Sequence, residues 1–149
     1  MSWRRFSQYL LSLADRARHR ARQGRWPAER ATGRRGEDLA HRYLERQGMR
    51  VVARNYWPHS GHGEIDLIAW DRETLVFVEV KSRHSNEFGD PDRNVDREKR
   101  RALLRAGREY ARHAGVPWDR VRLDVVTVLL TDPPSLAHFR GAFQPTPTL

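Results

Sequence analysis

Two carboxylates and a lysine lie in two neighbouring apolar runs of the sequence, where charged residues are unusual. Asp66 belongs to the run 64–70, and Glu79 and Lys81 belong to the run 75–81. Because side chains alternate between the faces of a strand, Glu79 and Lys81 share a face, which Asp66 joins if the register allows it. Buried charges cost stability unless they are paired or bound to metal. Carboxylates that hold Mg²⁺ beside an ammonium suit metal-assisted phosphodiester cleavage, so these residues predict a hydrolytic site.

Two more charged residues lie on the apolar faces of predicted helices. Glu37 precedes Ala40 by three residues and Leu44 by seven, near the first turn of its helix, and is a candidate to complete the metal ligands. Lys99 precedes Leu103 by four residues and is a candidate to reach a phosphate. In such a site the lysine of the strand, Lys81, would help to deprotonate the attacking water or neutralise developing charge.

Arginines surround these candidates. The helix of Lys99 carries further bases on its other faces, which either follow a nucleic-acid backbone or form a solvated surface. They are Arg97, Arg100, Arg101, Arg105, Arg108 and Arg112. The residues predicted to contact nucleic acid are Lys99, Arg83, Arg100, Arg34 and Arg35.

Periodicity, caps and breakers predict the elements that position these residues. A helix is predicted over 33–47, with Thr32 as its N-cap and Gly48 as its stop, and a second helix over 96–113. Strands are predicted over 49–57, 64–70, 75–81 and 121–130, and the middle two form a hairpin. The order α-β-β-β-α-β predicts an α/β fold in which helices flank a mixed sheet.

Two segments have no predicted regular structure. The segment 82–94, which contains Gly89, Asp90 and Pro91, is expected to be a mobile loop. The proline-rich tail over 132–149 is expected to fray.

The composition limits the class of protein. A length of 149 residues fits one domain. Hydrophobic residues make up 38% of the chain and charged residues 32%, and a mean hydropathy of −0.83 leaves no membrane span. The absence of cysteine excludes disulfides, thiolate zinc sites and thiol catalysis, and fits a cytoplasmic location.

The net charge of +9 is concentrated at the start of the chain. Residues 1–36 contain ten arginines against Asp15 and Glu29, whereas residues 37–149 contain 18 basic and 17 acidic residues. Arginine supplies 26 of the 28 basic residues, which indicates either phosphate recognition or a codon bias of the genome.

Residues 1–30 are predicted to form a basic amphipathic N-terminal extension. Read as a helix, this stretch carries Trp3, Phe6, Leu10 and Leu13 on one side. This pattern is typical either of a segment that binds nucleic acid or an anionic membrane surface, or of a solvated extension whose apolar residues dock on the domain or on a partner. Its apolar part is too short for an export signal.

Histidines and a further carboxylate form a second group of candidates. His59 and His62 flank Gly61 and either ligate a transition metal or belong to a polar, glycine-rich loop. Glu64 lies one strand step from Asp66 and either supports the site or is an exposed structural residue.

A third group has a structural alternative for each residue. Asp124, in an apolar strand, is expected to pair with Arg122 or with a basic residue of a helix. Tyr56 and Trp57 either stack on unpaired bases or pack in the core.

The motifs around these residues resemble a known family. The spacing from Asp66 to the Glu79-Val80-Lys81 triplet, in a strand–turn–strand context, resembles the core of PD-(D/E)XK nucleases, with Ile65 where their proline stands. Motifs over about residues 31–130 resemble those of the YraN family of predicted endonucleases. They are Gly33-Arg-Arg-Gly-Glu37, Arg54-Asn-Tyr56, Gly63-Glu-Ile-Asp-Leu-Ile68, Phe77-Val-Glu-Val-Lys-Ser-Arg83, Lys99 and Arg122-Leu-Asp-Val-Val126.

That family is similar in fold to archaeal Holliday junction resolvases. The resemblance implies a restriction-endonuclease-like sheet and a PD-(D/E)XK nuclease-like domain over 31–131. It also implies that Glu37, Asp66 and Glu79 bind the metal and that Lys81 is catalytic.

The residues and the resemblance together predict a metal-dependent endonuclease that hydrolyses DNA phosphodiester bonds. The expected cofactor is Mg²⁺, with Mn²⁺ as a substitute, and the expected substrate is branched or irregular DNA in repair or recombination. The resolvase resemblance suggests a homodimer, and an activating protein partner is left open. The alternatives are a non-catalytic DNA-binding or adaptor protein on the same fold, and a structural protein whose hairpin charges form an internal salt bridge.

Overall fold

The structure, a computed structural model, describes residues 28–61, 63–84 and 95–143. The chain divides into two compact units, residues 1–32 and 33–149. The predicted basic extension over residues 1–30 lies almost wholly outside the described residues, as do His62, most of the predicted mobile loop and the last six residues. In the described part of the chain, no helix is long and apolar enough to cross a membrane.

Two α-helices and five strands make up the regular structure of the described residues. In chain order they are α1 (Ala28–Arg46), β1 (Arg50–Tyr56), β2 (Ile65–Asp71), β3 (Thr74–Arg83), α2 (Arg97–His113), β4 (Val121–Leu129) and β5 (Ser135–Phe139). A 3₁₀ turn, Trp118–Arg120, precedes β4.

The strands form one mixed sheet in the order β1-β2-β3-β4-β5. All neighbours are antiparallel except β3 and β4, which are parallel and are connected through α2. A parallel pair requires such a crossover, whereas the turn at Arg72 closes the β2–β3 hairpin directly. The predicted α/β class and the order α-β-β-β-α-β are confirmed.

Each face of the sheet carries its own apolar core. Phe77 and Leu123 belong to the cluster that includes Leu103 of α2, whereas Val78 belongs to the cluster that includes Leu44 of α1. Because both faces of the central strands are covered, the run 75–78 of β3 is wholly apolar, and β4 is apolar except at Arg122, Asp124 and Thr127. A charged side chain on these strands is therefore conspicuous.

Two glycines allow close packing around the hairpin. A Cβ atom at Gly36 of α1 would overlap the side chain of Ser82, and a Cβ atom at Gly63 would overlap the backbone of Ala102 in α2. Gly63 also has a φ of +85°, which glycine adopts readily. Both helices therefore approach the segments that carry the candidate residues.

The start of the first helix and the end of the third strand differ from their predictions. Helix α1 begins at Ala28 and runs through Thr32, because the residues before Gly33 are mostly good helix formers. Strand β3 continues to Arg83, because Ser82 and Arg83 pair with β4 instead of entering a loop.

The tail contains a strand that the sequence analysis missed. Ser135–Phe139 forms β5, which pairs antiparallel with β4, so this part of the predicted tail does not fray. The strand is only five residues long and follows two prolines, so it carries a weak local signal.

Candidate active site

Asp66 and Glu79 lie where strands β2 and β3 separate. The ladder between these strands runs from the turn only as far as the pair Leu67 and Val78. Beyond it, Asp66 Oδ2 accepts a hydrogen bond of 2.8 Å from the backbone N–H of Val80. The carboxyl group of Asp66 thus accepts from a backbone donor that a paired strand would otherwise satisfy. We call the gap beyond Leu67 and Val78 the opening, and Asp66 and Glu79 lie in it.

Glu79 is the most buried acid of this opening. It lies on β3 beside β4 and is only 1% exposed. Its Oε1 atom contacts Nζ of Lys99, from the first turn of α2, whereas its Oε2 atom is buried without a hydrogen-bond partner among the described residues. An unsatisfied buried carboxylate oxygen is costly and rare, so this atom is a candidate to bind a ligand.

Burial and neighbouring charge make Asp66 a weak acid. Burial and the negative charges of Glu79 and Glu37 together raise the pKa of Asp66 to about 8, against the lowering effects of the Val80 N–H and Lys99. Asp66 is therefore largely protonated at neutral pH.

Lys99 is the cation next to these acids. Burial lowers the pKa of Lys99, but the hydrogen bond and the charge of Glu79 outweigh burial and raise the pKa overall. Lys99 was predicted to reach a phosphate, and here it neutralises a carboxylate. Its side chain remains 53% exposed.

A polar network holds Glu37 on helix α1. Asn55 Nδ2 donates a hydrogen bond of 2.9 Å to Glu37 Oε2, and the guanidinium of Arg34 contacts both Asn55 Oδ1 and Glu37. Arg54 donates to Asp38 at 2.6 Å and lies 3.9 Å from Glu37. Burial raises the pKa of Glu37, and the hydrogen bond from Asn55 offsets part of that increase.

Asn55 and Arg54 have roles at the site that the residue-by-residue analysis did not assign. Asn55 has a φ of +47°, in the left-handed region that asparagine tolerates better than most residues. An asparagine in a strand is itself uncommon, and this was the available signal. The partner, Glu37, is distant in sequence, so the signal did not identify the contact.

Lys81 shares the β3 face of Glu79 and is half-buried. Its strand position pairs with Thr127 of β4. Within the described ranges it forms no ion pair, and the ammonium that contacts Glu79 belongs to Lys99. Lys81 is thus near the acids without being neutralised by them.

The predicted nucleic-acid contacts divide into two groups. Arg34 and Lys99 are engaged with site residues, and Arg83 is half-buried at the end of β3. Arg35 and Arg100 are exposed, although the guanidinium of Arg100 lies 4.8 Å from the ring centre of Phe143.

The loop before β2 has a structural anchor. The backbone N–H of His59 donates to Glu109 of α2 at 2.6 Å, while the His59 side chain is 92% exposed. Glu64 lies close enough to Glu37 to raise the pKa of that residue, so it belongs to the acidic surroundings of the site.

Asp124 forms a buried network away from these acids. Arg122 donates to both of its carboxylate oxygens at 2.8 and 3.0 Å, and His138 lies 2.8 Å away. The expected pairing with Arg122 is confirmed. The two aromatic candidates differ: Tyr56 packs against Tyr110 with ring centres 5.1 Å apart, and Trp57 is 59% exposed.

The donor chemistry of the opening fits a hard divalent cation. Asp66, Glu79 and Glu37 offer only carboxylate oxygens, which Mg²⁺ prefers, and one oxygen of Glu79 is buried and unpartnered. Across residues 28–61, 63–84 and 95–143, however, no three acidic or histidine side chains already have metal-binding geometry.

Fold and site together define an α/β protein with a buried acidic cluster at the open end of a hairpin within a mixed sheet. The chain belongs to the family described as Uncharacterised protein family UPF0102, whose sequence pattern matches residues 36–128. This membership confirms the YraN-family resemblance.

Relatives of the chain come from several bacteria. A UPF0102 protein of Solibacter usitatus is 52% identical over 134 residues, which cover 90% of this chain and all of that protein. A UPF0102 protein of Rhodococcus jostii is 44% identical over 115 residues, covering 76% of this chain and 96% of the relative. A UPF0102 protein of Desulfosudis oleivorans is 41% identical over 111 residues, covering 74% of this chain and 88% of the relative.

Proposed function

We propose that this protein is a metal-dependent endonuclease that hydrolyses DNA phosphodiester bonds. The observation that carries the proposal is the pair Asp66 and Glu79 at the separated ends of β2 and β3, with an unpartnered buried oxygen on Glu79. The PD-(D/E)XK-like spacing of Asp66, Glu79 and Lys81 supports the same assignment.

Asp66, Glu79 and Glu37 are the residues that would hold Mg²⁺, with Mn²⁺ as a substitute. When bound, the metal would polarise the phosphate and lower the pKa of water. Asn55 and Arg34 fix Glu37 for this role, because both contact its carboxylate directly. The Val80 N–H holds Asp66 in place by donating a hydrogen bond to Oδ2, and Oδ1 does not take part in that bond.

Lys81 is the residue that would handle the proton of the attacking water or the charge on the phosphate. It lies on the Glu79 face of β3 and is not neutralised by an ion pair with any described residue. A lysine that forms an ion pair would be a poorer base, because a bound carboxylate stabilises its protonated form.

The proposed substrate is DNA with a branched or otherwise irregular structure. Arg35 and Arg100 supply exposed positive charge for the phosphate backbone. Symmetric cutting of two strands requires two sites, so the proposal includes a homodimer. Light scattering with and without DNA tests this point, and a monomer under both conditions would contradict it.

The test of the activity is cleavage of labelled duplex, single-stranded, flap and four-way-junction DNA with Mg²⁺, Mn²⁺ or EDTA. Wild type is compared with Asp66→Asn, which cannot ionise to a metal-binding carboxylate but retains an oxygen to accept the Val80 hydrogen bond. We expect metal-dependent cutting by wild type and a loss of at least about a hundredfold in the variant.

The matched control is Glu73→Gln, at the exposed turn of the same hairpin. It should cut like wild type. Equal cutting by Asp66→Asn would show that the site is assigned wrongly. Metal-independent binding of DNA without cutting by any variant would favour the adaptor function instead.

A further inference from the structure

We propose that Lys99 acts as an internal counter-ion that competes with the divalent cation for Glu79. In the metal-free protein its ammonium neutralises the buried carboxylate, and it must leave Glu79 when a divalent cation binds there. The released ammonium is then available to a substrate phosphate. This inference rests on the proposed metal site and adds a residue that positions Glu79 before the metal arrives.

The first support is the contact itself. Nζ of Lys99 contacts Oε1 of Glu79, and Oε2 of the same carboxylate is buried without a partner. Since Glu79 is only 1% exposed, solvent does not screen its charge well. A divalent cation on this carboxylate would lie close to the ammonium and repel it, so binding of one opposes binding of the other.

The second support is that Lys99 has a route out of the site. Its backbone is fixed, because Asp96, the N-cap of α2, accepts a hydrogen bond of 2.9 Å from the Lys99 N–H. Its side chain is 53% exposed, and a lysine stem has four rotatable carbons. The ammonium therefore moves between Glu79 and solvent without a change in the helix.

The third support is the residue type. Only two of the 28 basic residues of this chain are lysines, and they are Lys81 and Lys99. An arginine at position 99 would present a planar fork suited to both oxygens of a carboxylate. A lysine is a single point charge, and here it leaves Oε2 of Glu79 open.

The test is the affinity of the full chain for Mn²⁺, measured by titration calorimetry without DNA. The variants are Lys99→Met, Lys99→Arg and Arg101→Met, the last removing an exposed charge from the same helix turn. We expect Lys99→Met to bind Mn²⁺ about tenfold more tightly than wild type, because a repelling charge is gone. Arg101→Met should change the affinity by less than about twofold, because exposed charges are screened.

Lys99→Arg keeps the charge and should not bind Mn²⁺ more tightly than wild type. Circular dichroism of each metal-free variant checks that it is folded. Equal Mn²⁺ affinity of wild type and Lys99→Met, or weaker binding by Lys99→Met, would overturn the competition while leaving the metal site intact. Absence of Mn²⁺ binding in every variant would overturn both this inference and the proposed metal-dependent function.

Discussion

Asp66 accepts the hydrogen bond of the Val80 N–H at 2.8 Å, immediately beyond the last paired residues of strands β2 and β3. The side chain of one strand thus replaces a backbone acceptor for the other. The residue that satisfies the Val80 N–H at the end of the ladder is also the acid whose pKa is raised to about 8.

The metal-free protein should lose stability as the pH rises through the range in which Asp66 titrates. Burial and Glu79 raise the pKa of folded Asp66 to about 8, from an ordinary 3.8. The folded chain therefore keeps a proton that the unfolded chain releases. The contribution of this proton to the free energy of unfolding is fully present below pH 3.8 and is lost as the pH rises through about 8.

Urea unfolding in EDTA between pH 4 and 9 measures the free energy of unfolding as a function of pH. The size of its decline depends on how far the pKa of Asp66 is raised in the folded protein. Asp66→Asn, which does not titrate, should flatten the decline, whereas Glu73→Gln should keep it. Parallel curves for wild type and Asp66→Asn would show that Asp66 titrates normally in the fold.

Asn55→Gly tests the role of Asn55 in holding Glu37. The substitution removes the 2.9 Å hydrogen bond to Glu37 while glycine accepts the φ of +47°. We expect DNA cleavage to fall by about ten- to a hundredfold, as for partners that orient metal ligands. The melting temperature should change little, because the relief of backbone strain offsets the lost bond.

Arg72→Gly is the matched control for that variant. Arg72 has a φ of +55° and lies exposed in the turn between β2 and β3. Arg72→Gly should relieve backbone strain at this position and cleave DNA like wild type. If Asn55→Gly also cleaves like wild type, then Glu37 does not depend on Asn55.

Gly36→Ala tests the close approach of α1 to β3. The new Cβ would overlap the Ser82 side chain, so we expect a loss of about 1–3 kcal/mol in the free energy of unfolding. Gly33→Ala, in the same helix with open space around it, should instead stabilise the protein by about 0.5–1 kcal/mol.

The double variant Gly36→Ala with Ser82→Gly should recover part of the lost free energy of unfolding, because the overlap is removed. Chemical unfolding of Gly36→Ala, Ser82→Gly and the double variant, each against wild type, provides the comparison. Strictly additive losses in the double variant would contradict a direct clash between Gly36→Ala and Ser82.

Asp124→Asn should destabilise the protein strongly at neutral pH. Asp124 is 1% exposed, and the substitution breaks its ion pair with Arg122, which we expect to cost about 3–5 kcal/mol. Burial raises the pKa of Asp124, but hydrogen bonds from His138 and Arg122 outweigh it and lower the pKa overall.

The sign of the pH dependence at Asp124 is opposite to that at Asp66. A lowered pKa contributes stability above the unfolded value of 3.8, which is lost as the pH falls through the lower folded value. Unfolding at pH 7 and at acid pH should therefore show a difference between wild type and Asp124→Asn that narrows in acid. The exposed Asp119→Asn is the control and should be nearly neutral.

Elements with strong local patterns were predictable. Helix α2, the stop at Gly48 and the β2–β3 hairpin all follow from periodicity and from residues with special backbone preferences. Strand β5 was missed because it is only five residues long and follows two prolines, so the local pattern is weak and its stability comes from pairing with β4.

In the candidate site, too, some relations between residues were predictable from the sequence and others were not. The strand period placed Glu79 and Lys81 on one face, and the helix period aligned Glu37 and Lys99 with the apolar residues of their helices, because these relations depend only on backbone geometry. Which cation contacts Glu79 was not predictable from spacing. Lys99 lies 20 residues from Glu79 in the sequence, and only the packing of α2 against the sheet brings the two together.

The sequence by itself determined the α/β order, the apolar faces and the set of residues able to do chemistry, because each depends on interactions within a few residues. The tertiary structure decided that Asp66 caps Val80 where two strands separate, that Asn55 holds Glu37, and that Lys99 neutralises Glu79. These contacts join residues from different elements, and their energies depend on burial and on the charges that the folded chain brings together.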